Sequence, residues 1–341
     1  MARLAGYDTL FGFSLCVLFC DSGELDPFVA SRCSACDRCV PGVVHAPGTV
    51  SDVASFACVA AGMGSLHRRA ATSDAVVLGC WAADLAGCIA IIGSHLERAA
   101  RVRGLPTISV KRGEKTAALA AIESTAFDVL LSVGCPWKLP IARLRERMPD
   151  ALFLNVHPSC LPRLRGAHPL NGAILNDEPR IGASVHVMEE EFDTGALIAQ
   201  RCIERTEELD LALLYAVSRL LEAEAMQLAL ETLVASDFAY RGIPQHGEPS
   251  SYTRRPEDMT CDATTTPSSE LLRRVRAFGV STQGCTVHLA DRTVVAYDAQ
   301  RITHPYLHER FRNAAPGTLL LRCDRNCLIR TLDGAIVYLK C

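Results

Sequence analysis

Apolar residues fall in short blocks between Gly, Pro and charged clusters, and the blocks change character along the chain. The run 14–20 predicts a first buried strand, and CIAII at 88–92, held between Gly87 and Gly93, predicts a central parallel one. Residues 96–103 predict a short basic helix ended by Gly104, and the Ala-rich stretch 115–124 predicts another. FDVLLSV at 127–133 and the run 151–155 predict strands on either side of an amphipathic helix over 141–148. Strands alternating with helices at this spacing predict an α/β fold with a doubly wound, mostly parallel sheet. Residues 1–75 are the least patterned part of the chain.

The second half reads differently. Two extended runs, 181–188 and 196–203, are joined by EEEFDTG. A long helix follows over 207–234, with Leu213, Val217, Leu220, Leu221 and Leu228 as the stripe expected to pack on the sheet. Around 239–255 Gly, Pro and Ser collect and the periodicity fades, which marks a linker. Beyond it come a short helix over 268–278 and five short strands at 285–289, 293–297, 318–322, 327–331 and 335–339. These predict a smaller C-terminal OB-like β-barrel. The expected organisation is an N-terminal domain over 1–236, a linker over 237–255 and a C-terminal domain over 256–341.

Composition narrows the classes. With 341 residues, 49 % hydrophobic and 21 % charged, the chain is long and apolar enough to bury a sizeable core. A formal charge of −3 excludes a polybasic coat for nucleic acid and gives no support for electrostatic membrane docking. From Gln245 onward Lys and Arg outnumber Asp and Glu by 13 to 10, against 22 to 28 before it, so the C-terminal part is mildly basic. No apolar run reaches the roughly 18 residues of a membrane span. LFGFSLCVLFC at 10–20 has the look of a signal-peptide core, but Asp8 stands just ahead and no small-x-small cleavage pattern follows. A buried strand and a cytoplasmic location are the expectation. The 16 cysteines are scattered and many sit in or beside apolar runs, so most are expected to be reduced, buried, small hydrophobes. Cys33, Cys36 and Cys39 have part of an iron–sulfur spacing, or could hold zinc with a distant Cys or His45. The fourth cysteine is missing, incidental loop cysteines are the default, and no metal is expected.

The chemistry concentrates in LFLNVHPSCLPRLRGAHPL, residues 152–170. Asn155, His157 and Ser159 are spaced by two at the end of a buried strand, so an extended chain would point all three the same way, at the edge where doubly wound sheets place ligands. An amide and an imidazole together can stabilise a carbonyl oxygen as it becomes negative, and an imidazole can take up the proton of an attacking amine. Such an imidazole needs a carboxylate, and Asp193 in EFDTG is the candidate. Glu189 to Glu191 read as a solvated turn, and His168 and His186 as structural. Arg163 and Arg165 follow the strand, and Arg273, Arg274 and Arg276 cluster further on. Each set is either a solvated basic face or a contact for phosphates.

Asn155-Val156-His157-Pro158-Ser159, Leu161-Pro162, Arg165-Gly166 and His186 through Asp193-Thr194-Gly195 resemble the formyltransferase family that uses 10-formyltetrahydrofolate, over about 104–234. SYTRRPEDM, ELLRRVRAFG and AAPGTLL resemble the C-terminal domain of methionyl-tRNA formyltransferases and related sugar N-formyltransferases. The resemblance implies Asn155, His157 and Asp193 as catalytic residues. It places the folate pocket beside Val133, Gly134, Cys135, Leu139 and Pro140, with Ser159, Arg163, Arg165 and Gly166 on the substrate side. It implies 10-formyltetrahydrofolate as co-substrate without a metal, and a small-molecule primary amine, or initiator methionyl-tRNA, as acceptor. Hydrolysis of formyltetrahydrofolate and a non-catalytic folate- or RNA-binding role are the remaining alternatives.

Overall fold

In the computed structural model, residues 15–19, 89–92 and 107–109 are described as strand backbone, and 115–125, 127–135 and 137–341 in full. The helix expected over 96–103 and the Cys33, Cys36, Cys39 group lie outside the described residues. The chain divides into two units. One holds the chain up to Arg165 with Gly182–Ile203 and Val217–Ser250, the other Gly166–Ile181, Glu204–Ala216 and Ser251–Cys341. Among the described residues no helix is long and apolar enough to cross a membrane.

The strands of the first unit are β1 (Leu15–Phe19), β2 (Ile89–Ile92), β3 (Thr107–Ser109), β4 (Val129–Val133), β5 (Leu152–His157), β6 (Arg180–Val187) and β7 (Leu197–Glu204). Among the described residues they make one seven-stranded sheet in the order β3-β2-β1-β4-β5-β6-β7. The pairings from β3 through β5 are parallel, as expected of a doubly wound sheet. The chain winds both ways from β1, and in such sheets the ligand crevice lies outside the carboxyl ends beside that switch. β6 then runs antiparallel to β5, with Asn155 opposite His186 and His157 opposite Ser184. Every residue of β4 is buried, which explains its unbroken apolar run. β7 is an edge strand, and its Gln200, Arg201 and Glu204 are exposed.

The helices up to this sheet's end are α1 (Lys115–Ser124), α2 (Ile141–Arg147), α3 (Pro169–Leu175) and α4 (Leu211–Ala235). α1 and α2 contribute Ile122, Ile141 and Leu144 to a core with Phe127, Leu130, Leu139, Phe153 and Met188. Within it the Phe127 and Phe153 rings meet edge to face at 5.9 Å, an arrangement aromatic pairs prefer. α4 corrects its expected stripe. Leu211, Leu214, Ser218, Leu221, Ala225, Ala229 and Leu233 are buried, whereas Leu213, Leu220 and Leu228 are 45 %, 46 % and 42 % exposed. Leucines stand on both faces and the buried face also carries Ser218, Ala225 and Ala229, so leucine alone does not mark the inner face.

Cysteine usage also departs from expectation, because Cys160 and Cys202 form a disulfide. Cys160 follows β5 and Cys202 lies on β7, with Gly182 of β6 between them. A Cβ at Gly182 would stand 2.5 and 2.8 Å from the two sulfurs, so the missing side chain makes room for the bridge. Cys261, Cys285 and Cys327 are buried and free, as expected.

The second unit holds β8 (Thr260–Asp262), α5 (Ser268–Ala277), β9 (Cys285–His288), β10 (Thr293–Ala296), β11 (Asp298–Ile302), α6 (Pro305–Arg310), β12 (Leu319–Cys323), β13 (Asn326–Arg330) and β14 (Ile336–Lys340). The five expected strands are present. Among the described residues these five, with β8 and β11, pair as two sheets, β10-β9-β8 and β11-β14-β13-β12, with no pairing that closes a barrel. The two sheets and α5 share one core, with Leu271, Val275, Val287, Ile329 and Val337 at its centre.

Candidate active site

β5 stays extended only to His157. The chain then turns, with the Ser159 N–H donating to the His157 carbonyl at 2.9 Å. Asn155 and His157 therefore share a face, as period two requires, while Ser159 leaves it. The Ser159 hydroxyl donates to the Arg163 carbonyl at 2.7 Å and holds its own loop. At the end of that loop Leu164 adopts φ 57, which turns its carbonyl back onto His157 Nε2 at 2.8 Å.

Asp193 arrives from the connection between β6 and β7. β6 ends beside the start of β5, so this connection has to travel back toward the strand ends where His157 stands. The three glutamates guide it along α2. Glu189 pairs with Arg145 at 2.8 Å, Glu190 accepts the Ala142 N–H, and Glu191 meets Lys138 at 3.4 Å. The turn is solvated as expected, all three glutamates being exposed, and Glu189 raises the Arg145 pKa chiefly through its hydrogen bond. Asp193 itself sits at φ 56, uncommon for a residue with a side chain and best tolerated by Asp and Asn. Gly195 is required by close approach, since a Cβ there would lie 1.8 Å from the Val187 carbonyl oxygen.

The buried Asp193 carboxylate is shared. Oδ2 faces His157 Nδ1 at 3.5 Å. Oδ1 faces His186 Nε2 at 3.3 Å and accepts from Asn155 Nδ2 at 3.4 Å. The Asn155 amide also lies 3.2 Å from His186 Nε2, and His186 Nδ1 donates to the Val187 carbonyl at 2.8 Å. His186 is therefore part of this cluster rather than a structural histidine. The Asn155–His186 cross-strand pair could have revealed it only if the antiparallel register had been known. His168 likewise has a partner, its Nδ1 accepting the Arg254 N–H at 3.2 Å within the second unit.

A carbonyl only accepts, so His157 Nε2 must carry the proton it gives to Leu164, and in the neutral ring Nδ1 is left as a lone pair facing Asp193. Burial holds the His157 pKa below its ordinary value. Asp193 and the Leu164 carbonyl oppose that shift, and the nearby His186 reinforces it. The cluster can thus receive a proton at His157 Nδ1 and stabilise it with Asp193.

The remaining expected residues are placed as follows. Val133 ends β4 buried, and Gly134 follows it exposed at φ 62. Cys135 donates its thiol hydrogen to the Trp137 carbonyl at 3.5 Å. Leu139 belongs to the first unit's core and Pro140 caps α2. Arg163 is exposed, and Arg165 donates to Gln245 Oε1 at 2.7 Å. Gly166 lies in the second unit at φ 98. There Arg274 pairs with Glu270 at 2.9 Å and donates to the carbonyls of Glu257 and Thr260 at 3.2 Å, so it is engaged within the fold. Among the described residues no group of His, Cys, Asp and Glu has a metal-holding arrangement.

The sequence matches the family described as Formyl transferase over residues 87–230. It is 30 % identical over 230 residues to the methionyl-tRNA formyltransferase of Bordetella avium, covering 67 % of this chain and 70 % of that protein. It is 36 % identical over 166 residues to the methionyl-tRNA formyltransferase of Synechococcus sp. strain JA-3-3Ab, covering 47 % and 49 %. Among solved structures, the N-formyltransferase of Helicobacter canadensis in complex with folinic acid and dTDP-3-aminofucose is similar with TM-score 0.58 and 13 % identity, covering 96 % of this chain and 98 % of that one. HypX of Aquifex aeolicus in complex with tetrahydrofolic acid is similar with TM-score 0.55 and 22 % identity, covering 70 % of this chain and 40 % of HypX.

Proposed function

We propose that this chain, which belongs to the formyl transferase family, moves a formyl group from 10-formyltetrahydrofolate onto the primary amine of a small molecule. The observation that carries the reading is the Asp193 carboxylate shared between His157, His186 and Asn155 at 3.5, 3.3 and 3.4 Å. An amine nitrogen that bonds to the formyl carbon must lose a proton, and we assign His157 as the base that takes it, with Asp193 stabilising the imidazolium. The Asn155 amide, the more accessible donor of the set, turns toward the formyl oxygen as it becomes negative. As the bond to the folate nitrogen breaks, His157 returns the proton to that leaving nitrogen and tetrahydrofolate departs. We place the donor beside the carboxyl end of β4, next to the exposed Gly134 and the half-buried Cys135 and Pro140. We read residues 1–236 as the catalytic domain, 237–255 as a linker and 256–341 as a C-terminal formyltransferase domain.

For the acceptor we favour a nucleotide-linked amino sugar or a similar metabolite. The mild C-terminal charge and the internal engagement of Arg274 support it over a long phosphate backbone. The second reading is initiator methionyl-tRNA, favoured by the 30–36 % identity to methionyl-tRNA formyltransferases. Transfer of labelled formyl from 10-formyltetrahydrofolate decides between them, with initiator methionyl-tRNA and a panel of nucleotide-linked amino sugars as acceptors and His157→Ala as control. Label on a sugar supports the favoured reading, and label on tRNA replaces it. Label on neither, with formate released equally by wild type and control, refutes formyl transfer.

A further inference from the structure

The stretch that reads as a linker carries the inference. Ile243 bridges Leu197, each N–H donating to the other's carbonyl at 2.8 and 3.0 Å. Two residues on, the Gln245 amide donates to the carbonyls of Asp193 and Gly195, both at 2.8 Å, while its oxygen accepts from Arg165 Nη2 at 2.7 Å. Ser250 closes the other end. Its hydroxyl accepts the Leu164 N–H at 2.9 Å, and its carbonyl accepts the Arg165 N–H at 2.8 Å.

This segment, all within the first unit, therefore fastens both sides of the cluster. Leu164 provides the carbonyl that fixes His157 Nε2, and Asp193 provides the carboxylate facing Nδ1. A non-glycine residue at φ 56 persists only where its surroundings over-determine it. Gln245 supplies that restraint, because its amide holds the carbonyls of Asp193 and Gly195 on either side of Thr194 and so pins the turn that Asp193 begins. We propose that Gln245 is a positioning residue for the reaction. It sets the distance between the Asp193 carboxylate and the His157 ring by tying the Asp193 turn to the Arg165 loop. This rests on the formyl-transfer reading for its catalytic consequence, but not for its geometric one.

The test uses the full chain carrying Gln245→Met, which keeps side-chain volume and removes both donors and the acceptor. The first readout is independent of any acceptor: the NMR titration of the His157 ring protons, assigned by their loss in His157→Ala. Around that ring Asp193 favours the charged form, while burial and His186 disfavour it. Release of Asp193 is expected to move the His157 midpoint to lower pH. The second readout is steady-state transfer with whichever acceptor takes label. A loss of kcat on the order of 10²-fold is expected, the scale of a misplaced catalytic group, with the KM for 10-formyltetrahydrofolate nearly unchanged. A variant that keeps the wild-type His157 midpoint, or wild-type kcat, overturns the proposal. If the wild type transfers formyl to nothing while Gln245→Met still shifts the midpoint, the functional reading fails and the bracket stands.

Discussion

Asp193→Asn is the sharpest test of the cluster, because the amide keeps the shape of the carboxylate and removes its charge. His157 Nδ1 and Asp193 Oδ2 are 3.5 Å apart and both side chains are buried. Coulomb's law at that separation, with an effective dielectric of about 20, gives about 5 kcal/mol between imidazolium and carboxylate. If the imidazolium forms only as the amine loses its proton, nearly all of that attraction is realised in the transition state and little in the ground state. The expected consequence is a fall in turnover of roughly 10³-fold, since each 1.36 kcal/mol is about tenfold in rate. Binding of 10-formyltetrahydrofolate, assigned to the Val133–Pro140 side, should change little. The assay pairs chromatographic measurement of tetrahydrofolate formed with calorimetric titration of a folate analogue. Turnover within about threefold of wild type at unchanged folate affinity would mean that Asp193 carries no developing charge, and the mechanism would be wrong.

Other predictions follow from the packing. Leu214→Ala removes a fully buried side chain of α4 and should cost about 2–5 kcal/mol, whereas Leu213→Ala, 45 % exposed, should stay within about 0.5 kcal/mol by denaturant unfolding. Equal losses would show that the helix face is misassigned. The Cys160–Cys202 bridge spans 42 residues, and opening it by Cys202→Ser should cost about 4 kcal/mol in the chain-entropy account, read from urea unfolding with midpoint and slope both fitted, the slope rising as the unfolded chain expands. For pH, the unfolded chain protonates His157 near its ordinary value of about 6.5 and the folded chain only below that. The unfolded state therefore binds more protons in that window, so stability should fall as pH drops through about 6.5 and level off below the folded value. His157→Gln should flatten that slope in guanidinium titrations at several pH values.

Much of the fold was legible because its signals are local. β4 and β5 announce themselves as apolar runs between turn residues, and Lys115–Ser124 is a helix over the span its alanines suggest. The proposed site residues stand out for a similar reason, since His157 ends β5 just before Pro158, Asn155 lies two residues before it, and Asp193 precedes Thr194-Gly195. What escaped depends on partners distant in sequence. His186 acquires its role from an antiparallel register with β5 that no periodicity encodes. The α2 partners of the exposed Glu189 and Glu190 likewise lie more than forty residues away in sequence. Gln245 lies in a Pro- and Gly-rich stretch whose lack of periodicity conceals its hydrogen bonds. The α4 face was misread because alanine and serine can line a buried face where the backbone approaches closely, while leucine tolerates partial exposure.

The reversal of strand direction between β5 and β6 also bears on the order in which the site is assembled during folding. His186 and Asp193 are contributed by one strand and the turn that leaves it, so their meeting closes a loop of only a few residues, an event on the order of 10–100 ns. Asn155 and His157 join only when β6 finds β5, a contact bridging about thirty residues that include α3. His186 and the Asp193 carboxylate are thus a local pair formed early, and His157, the proposed base, arrives together with Asn155 at the long-range pairing. Substitutions in β6 and its turn should then be felt in the folding rate as well as in catalysis, whereas those near Asn155 should act mainly on unfolding.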